Sequence, residues 1–328
     1  MEDLARKALD WALGAGVEYA DVRAVETRSQ DLATRDGRVA QAEDSESAGI
    51  AVRVHAGGGW GFAATDDLSP AGLEKAVHKA RAIAAASALT ARGPIHLAPE
   101  PVHRAVWASP CAIDPLALSV EIKLAHLLAV DAALRENKAV TLSEASFHAT
   151  RSRQWFLSSE GSVIDQTRTF TGAGCACHVF RDGDLQKRSY PNSFGGQYQL
   201  KGWELVAELD MLTHAPRLAA EAEQLHSADP CPSGDLTLIL DSSQLGLQIH
   251  ESIGHPIELD RVLGSEANYA GMSFLTLDQL RNLRYGSPLV NVVSDATSGH
   301  GPGPGTFAFD DEGRSEEHTS ELQSPCNL

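Results

Sequence analysis

Two imidazoles flank a carboxylate in the run His250-Glu251-Ser252-Ile253-Gly254-His255. Neutral imidazole nitrogens bind Zn²⁺ well, and the ion lowers the pKa of a bound water toward ~7. A carboxylate beside the first ligand can take the proton from that water. The residue types therefore point to metal-assisted hydrolysis, with His250 and His255 as metal ligands and Glu251 as catalytic base. The other role open to Glu251 is that of an outer carboxylate that orients a ligand.

The spacing is unusual. Metallopeptidase helices commonly carry the two histidines at i and i+4, on one face. Here they stand at i and i+5, which on a regular α-helix sets them ~140° apart around the axis. They could not then share one ion. Gly254 is a weak helix former, and Pro256 disfavours helical geometry at His255 while removing a backbone donor. The sequence thus predicts that the helix ends or distorts near Gly254, or that it contains a π-type turn, whose repeat is i+5. Glu258 and Asp260 follow closely and could be a third ligand, outer partners of the histidines, or simple solvated or capping carboxylates. Cys231 is a further conceivable ligand, and Arg261 could hold a peptide carboxylate or a surface ion pair.

Apolar periodicity and turn signals supply the elements that must position this run. Residues 3–14 read as an amphipathic helix, with Leu4, Ala8, Leu9, Ala12 and Leu13 on one side. Strands are predicted at 19–27, 30–34, 38–42, 47–55 and 60–64, with hairpin turns at Asp36-Gly37 and Gly57-Gly58-Gly59. Ser69 and Pro70 open a helix as N-cap and first residue. Residues 88–116 hold five prolines and read as a linker. A second helix is predicted at 119–137, strands at 139–150, 152–158, 162–180 and 185–199, and a closing helix at 202–224. Leu236 to Leu240 reads as a buried strand, and the cluster Asp241-Ser242-Ser243 as the N-cap of the histidine helix. Gly299-His300-Gly301 could be a loop over the site or an ordinary turn.

The expected fold class is α+β in several domains. These are an N-terminal helix–strands–helix domain (1–90), a linker (91–116), a middle antiparallel-sheet-plus-helices domain (117–228) and the start of a C-terminal domain bearing the metal helix (229–313). Residues 314–328 have no helical or strand period and resemble the translated sequence of a common sequencing-library adapter. We expect them to be an artefactual tail, with the natural protein continuing past Gly313.

The histidine run resembles that of the TldD/PmbA metallopeptidases, with Leu263-Gly264 and Tyr269-Ala270-Gly271 following it. Tyr19-Ala20-Asp21-Val22-Arg23, Gly49 to Arg53 and Trp60-Gly61-Phe62 resemble the family's N-terminal domain, and Asp310-Asp311-Glu312-Gly313 a landmark of its C-terminal domain. The resemblance implies a three-part subunit and a bound zinc ion in TldD-type members, whereas PmbA-type partners lack the motif. It implies His250 and His255 as zinc ligands, Glu251 as base, and a third ligand, a cysteine near the family's C-terminus, with no counterpart within 1–313. This chain alone is then expected to carry only part of the active site. The implied substrates are unfolded or extended peptides, and the implied assembly is a homodimer or a heterodimer with a PmbA-type homologue. A non-catalytic peptide-binding or assembly subunit is the alternative, in keeping with family members once described as modulating DNA gyrase.

Composition narrows the classes. The 328 residues are 43% hydrophobic and 22% charged, ordinary for a globular protein. A net charge of −17 argues against nucleic acid as partner. No stretch approaches the roughly 20 apolar residues of a membrane span, and no signal peptide opens the chain. Five scattered cysteines (Cys111, Cys175, Cys177, Cys231, Cys326) suggest reduced thiols and a cytoplasmic protein. Cys175 and Cys177 share a strand face, which suits packing more than metal binding.

Overall fold

The structure is a computed structural model and describes residues 1–91, 93–297 and 303–315. Its centre is one eight-stranded sheet that runs through both sheet-bearing regions. The N-terminal region contributes helix α1 (Glu2–Ala12), strands β1 (Val17–Arg35), β2 (Arg38–Ala56) and β3 (Gly59–Thr65), and helix α2 (Pro70–Ala88). Next come β4 (Arg104–Ala108), α3 (Val120–Leu134), β5 (Val140–Ser158), β6 (Val163–Arg181), β7 (Asp184–Tyr190) and β8 (Gln197–Gln199). Helices α4 (Glu204–Leu209) and α5 (Met211–Gln224) close this part. The strand order is β3-β2-β1-β5-β6-β4, with β7 and β8 also pairing with β6. Every pairing is antiparallel except β4 with β6.

Turn chemistry acts as the sequence predicts. Asp36 and Gly37 both have positive φ (49° and 73°), as do Gly57 and Gly58 (58° and 80°). That is the backbone of a tight hairpin whose twist matches its strands. Ser69 caps α2 by accepting from Gly72 N, and Ser119 caps α3 by accepting from Ile122 N.

Several expectations need correction. The segments 19–27 and 30–34 form one strand, and so do 139–150 and 152–158. Polar residues interrupt their alternation, but pairing along the length of β1, with β2 on one side and β5 on the other, keeps the backbone extended. The segment read as a linker contains β4, whose five residues pair with β6. The closing helix breaks at Asp210, which takes a left-handed φ of 45° that aspartate tolerates better than most residues. Leu236 to Leu240 is not a buried strand: no described segment pairs with it, and Leu238 and Ile239 are 77% and 91% exposed. A strand needs a neighbour to satisfy its amides, and an apolar pattern does not supply one.

All the packed helices lie on one face of the sheet. Ala20, Val22, Ala24 and Leu32 of β1 share a face by strand alternation. The first three pack with α1 and α2, and Leu32 joins the cluster that includes α3 and α5. Between the clusters Lys123 is fully buried; it donates to the Gln30 side chain and the Pro115 carbonyl and lies over the Phe147 ring.

Among the described residues, no helix packs against the opposite face. At one end the segment 303–315 lies on it. The Gln166 side chain donates to Phe309 O (2.9 Å) and accepts from Ala308 N and Phe309 N (3.0 and 3.1 Å). Glu312 pairs with Arg53 at 2.5 Å, and Arg53 also holds the buried Asp21 at 2.6 Å. A Cβ on Gly313 would stand 2.4 Å from the Phe156 ring, so this contact requires glycine.

Candidate metal centre

Asp241 starts the element that carries the histidines. Its carboxylate accepts from Ser243 N and Gln244 N, capping α6 (Ser242–Ile249). The helix then widens. Residues His250–Gly254 form a π turn, and His255 N donates to His250 O at 3.0 Å, five residues back. By Ile257 the step has returned to four residues, with Ile257 N donating to Ile253 O.

This widening is tied to Pro256. A regular turn would send an amide hydrogen from residue 256 to Ser252 O, and proline has none. The orphaned Ser252 carbonyl accepts instead from the Tyr285 hydroxyl at 2.6 Å. The Pro256 carbonyl accepts from Ser273 Oγ at 2.7 Å. Helix α7 (Leu259–Val262) follows.

The π turn brings the two histidines together. Their ring centroids are 4.3 Å apart at an interplanar angle of 72°. Ligand atoms of His250, Glu251 and His255 all lie within 4.8 Å of one another. Two ligands on a tetrahedral zinc with bonds near 2.1 Å stand roughly 3.4 Å apart. The imidazoles are accessible, 57% exposed for His250 and 32% for His255, so small rotations close that gap. The donor set therefore fits a metal ion, and imidazole nitrogen suits zinc among the common ones.

The carboxylates divide clearly. Glu258 Oε1 meets His255 Nδ1 at 2.7 Å, leaving Nε2 for other work, and its Oε2 pairs with Arg261 Nε at 2.5 Å. The His255 hydrogen bond, with Arg261 assisting, holds the Glu258 carboxyl below the usual carboxylate range. Asp260 instead accepts from the neighbouring Arg261 N, outside the cluster. Tyr285 fixes the turn through Ser252 O and was not legible from spacing alone; the loss of an amide at Pro256 was the available signal.

Among the described residues no cysteine joins the cluster. Cys231 is exposed, with its thiol toward Pro232 O at 3.8 Å. Cys175 and Cys177 are buried in the sheet's packed face, where burial pushes their thiols up to about 12 and about 11, so they remain protonated packing groups. The run Gly299-His300-Gly301 and the residues from 316 onward, including His318 and Cys326, lie outside the described residues.

The model for PmbA/TldA metallopeptidase domain 1 matches residues 20–84, and that for the PmbA/TldA metallopeptidase central domain matches residues 113–226. The chain belongs to the TldD/PmbA family. It is similar to a metalloprotease of Methanocaldococcus jannaschii, 28% identical over 296 residues, covering 90% of this chain and 62% of the relative. A metalloprotease of Methanothermobacter thermautotrophicus is 29% identical over 90% of this chain and 60% of its own length. A metalloprotease TldD homologue of Haemophilus influenzae is 24% identical, over 95% of this chain and 61% of its own. The chain thus spans about three-fifths of the length of these curated relatives.

Two crystal structures share the fold. Both are described as candidate modulators of DNA gyrase, from Bacteroides thetaiotaomicron (TM-score 0.70, 17% identity, 95% of this chain and 67% of that one) and Thermotoga maritima (0.69, 16%, 99% and 74%). No described helix is long and apolar enough to cross a membrane.

Proposed function

We propose that this protein is a zinc-dependent peptidase of the TldD type, acting on unfolded or extended peptides, with His250 and His255 as metal ligands and Glu251 as general base. The observation that carries the reading is the π turn, which turns an unfavourable i, i+5 spacing into a convergent imidazole pair beside a carboxylate. When bound, the ion supplies a Lewis acid that acidifies water and polarises a carbonyl. His255 is held in one tautomer by Glu258, so that Nδ1 carries the hydrogen and Nε2 is left to bind metal. Glu251, 61% exposed and adjacent to His250, is free to rotate toward a water, accept its proton and return it to the departing amine. The family's dimeric assemblies and a cytoplasmic location complete the proposal, the former as a homodimer or a pairing with a PmbA-type homologue.

The test is peptide hydrolysis by wild type and Glu251→Gln, with metal content measured on both. The variant should keep its metal and lose roughly 10²–10⁴-fold in turnover. Equal cleavage by both would sink the catalytic assignment. It would leave a peptide-binding subunit as the better reading.

A further inference from the structure

The turn that carries the histidines is not held by a core. From Ser242 to Val262 only Pro256 is buried, so apolar packing does little to fix the backbone there. A π turn is a rare backbone form, and the convergence of His250 and His255 depends on it. Something other than packing must keep it. Ser252 O has no amide of its own helix to accept from, because Pro256 has no hydrogen and Ile257 N is spent on Ile253 O.

Two hydroxyls from the segment that follows hold the turn instead. Tyr285 donates to Ser252 O at 2.6 Å, and Ser273 donates to Pro256 O at 2.7 Å. These carbonyls bracket the stretch that contains His255. The donors are themselves fixed. Ser273 Oγ accepts from Leu275 N at 2.9 Å, and Ser273 N donates to Arg261 O at 3.2 Å, which ties it to α7 beyond the histidines. The Tyr285 ring stacks on Phe274, the neighbour of Ser273, with centroids 5.8 Å apart and planes at 15°. The stack joins the two donors into one brace.

We infer that Ser273, Phe274 and Tyr285 are positioning residues for the metal site, a role that rests on the zinc reading of the histidine pair. They touch no ligand atom. They hold Ser252 O and Pro256 O, and through them the wide turn that keeps the two imidazoles converged before an ion arrives. Ligands already near their bound geometry lose less freedom on binding, so the brace raises affinity from outside the ligand set.

The test is the zinc affinity of the whole chain, read by competition with a chromophoric chelator. Tyr285→Phe and Ser273→Ala should each weaken zinc binding by roughly fivefold, the worth of one such hydrogen bond. Ser273→Thr, which keeps the hydroxyl, should restore most of that loss. Phe274→Leu should weaken binding in the wild-type background but by less than about twofold on top of Tyr285→Phe, because both act through one hydroxyl. With Co²⁺ as a spectroscopic probe, the Ser273→Ala/Tyr285→Phe double variant should lose absorption intensity as its imidazoles loosen. Circular dichroism of the metal-free protein checks that each variant folds; if Ser273→Ala does not, Tyr285→Phe and Phe274→Leu decide alone. Wild-type zinc binding with unchanged affinity in Tyr285→Phe and Ser273→Ala would overturn the brace and leave the zinc assignment standing. Full additivity of Phe274→Leu and Tyr285→Phe would overturn the link through the stack. A wild type that binds no zinc would overturn the zinc reading and the brace with it.

Discussion

At the scale of residues, a single missing hydrogen at Pro256 accounts for much of the histidine cluster's geometry. It frees the Ser252 carbonyl for Tyr285 and accompanies the wider turn that sets the His255 ring edge-on to that of His250. The donor types and the need for a distorted turn were legible in the sequence, because imidazole chemistry and helix periodicity are local properties. The division of labour between Glu258 and Asp260 was not, since both lie within reach of the cluster along the chain and only the fold orients one of them toward His255. Glu258→Gln should therefore weaken zinc binding by roughly 10–100-fold, while Asp260→Asn should leave it within about twofold; competition with a chromophoric chelator measures both. Tyr285→Phe should cost about 1 kcal/mol of stability, since it removes one hydrogen bond to a carbonyl that water can partly satisfy.

At the scale of elements, the close approach of β3 to α2 explains the glycines around Trp60. A Cβ on Gly61 would sit 1.9 Å from Ala80 O, and one on Gly59 would sit 2.3 Å from Ala84 O. The helix backbone lies directly on the strand, where no side chain fits. Gly61→Val should push α2 outward and destabilise the fold by about 2–3 kcal/mol, measured by urea unfolding; a change under 0.5 kcal/mol would contradict the packing. Turns and helix caps were readable from sequence because Asp-Gly, Ser-Pro and their neighbours impose backbone geometry locally. Strand continuity was not, because β1 and β5 are sustained by pairing across more than 100 residues of chain. The same dependence on a distant neighbour explains why the apolar run at 236–240 forms no strand among the described residues.

At the scale of the whole molecule, the segment 303–315 joins the sequence after the metal cluster to the first strands of the sheet through Arg53 and Glu312. The Arg53 hydrogen bond holds the Glu312 carboxyl below its ordinary range. Because the folded pKa lies below the unfolded value, this contact contributes stability that is fully present above about pH 5 and is lost as pH falls through the folded value. Hydrogen exchange at the Glu312 and Gly313 amides should accelerate across that acid window beyond the intrinsic pH trend, and Glu312→Gln should remove the extra dependence. The π turn brings together two histidines five residues apart, and the proposed metal site depends on that convergence. Zinc titration of the whole chain against a chelator of known affinity tests this most directly. Wild type should bind one equivalent, and His250→Ala and His255→Ala should each weaken that binding by about 100-fold or more; binding of the same stoichiometry and affinity in both variants would contradict it.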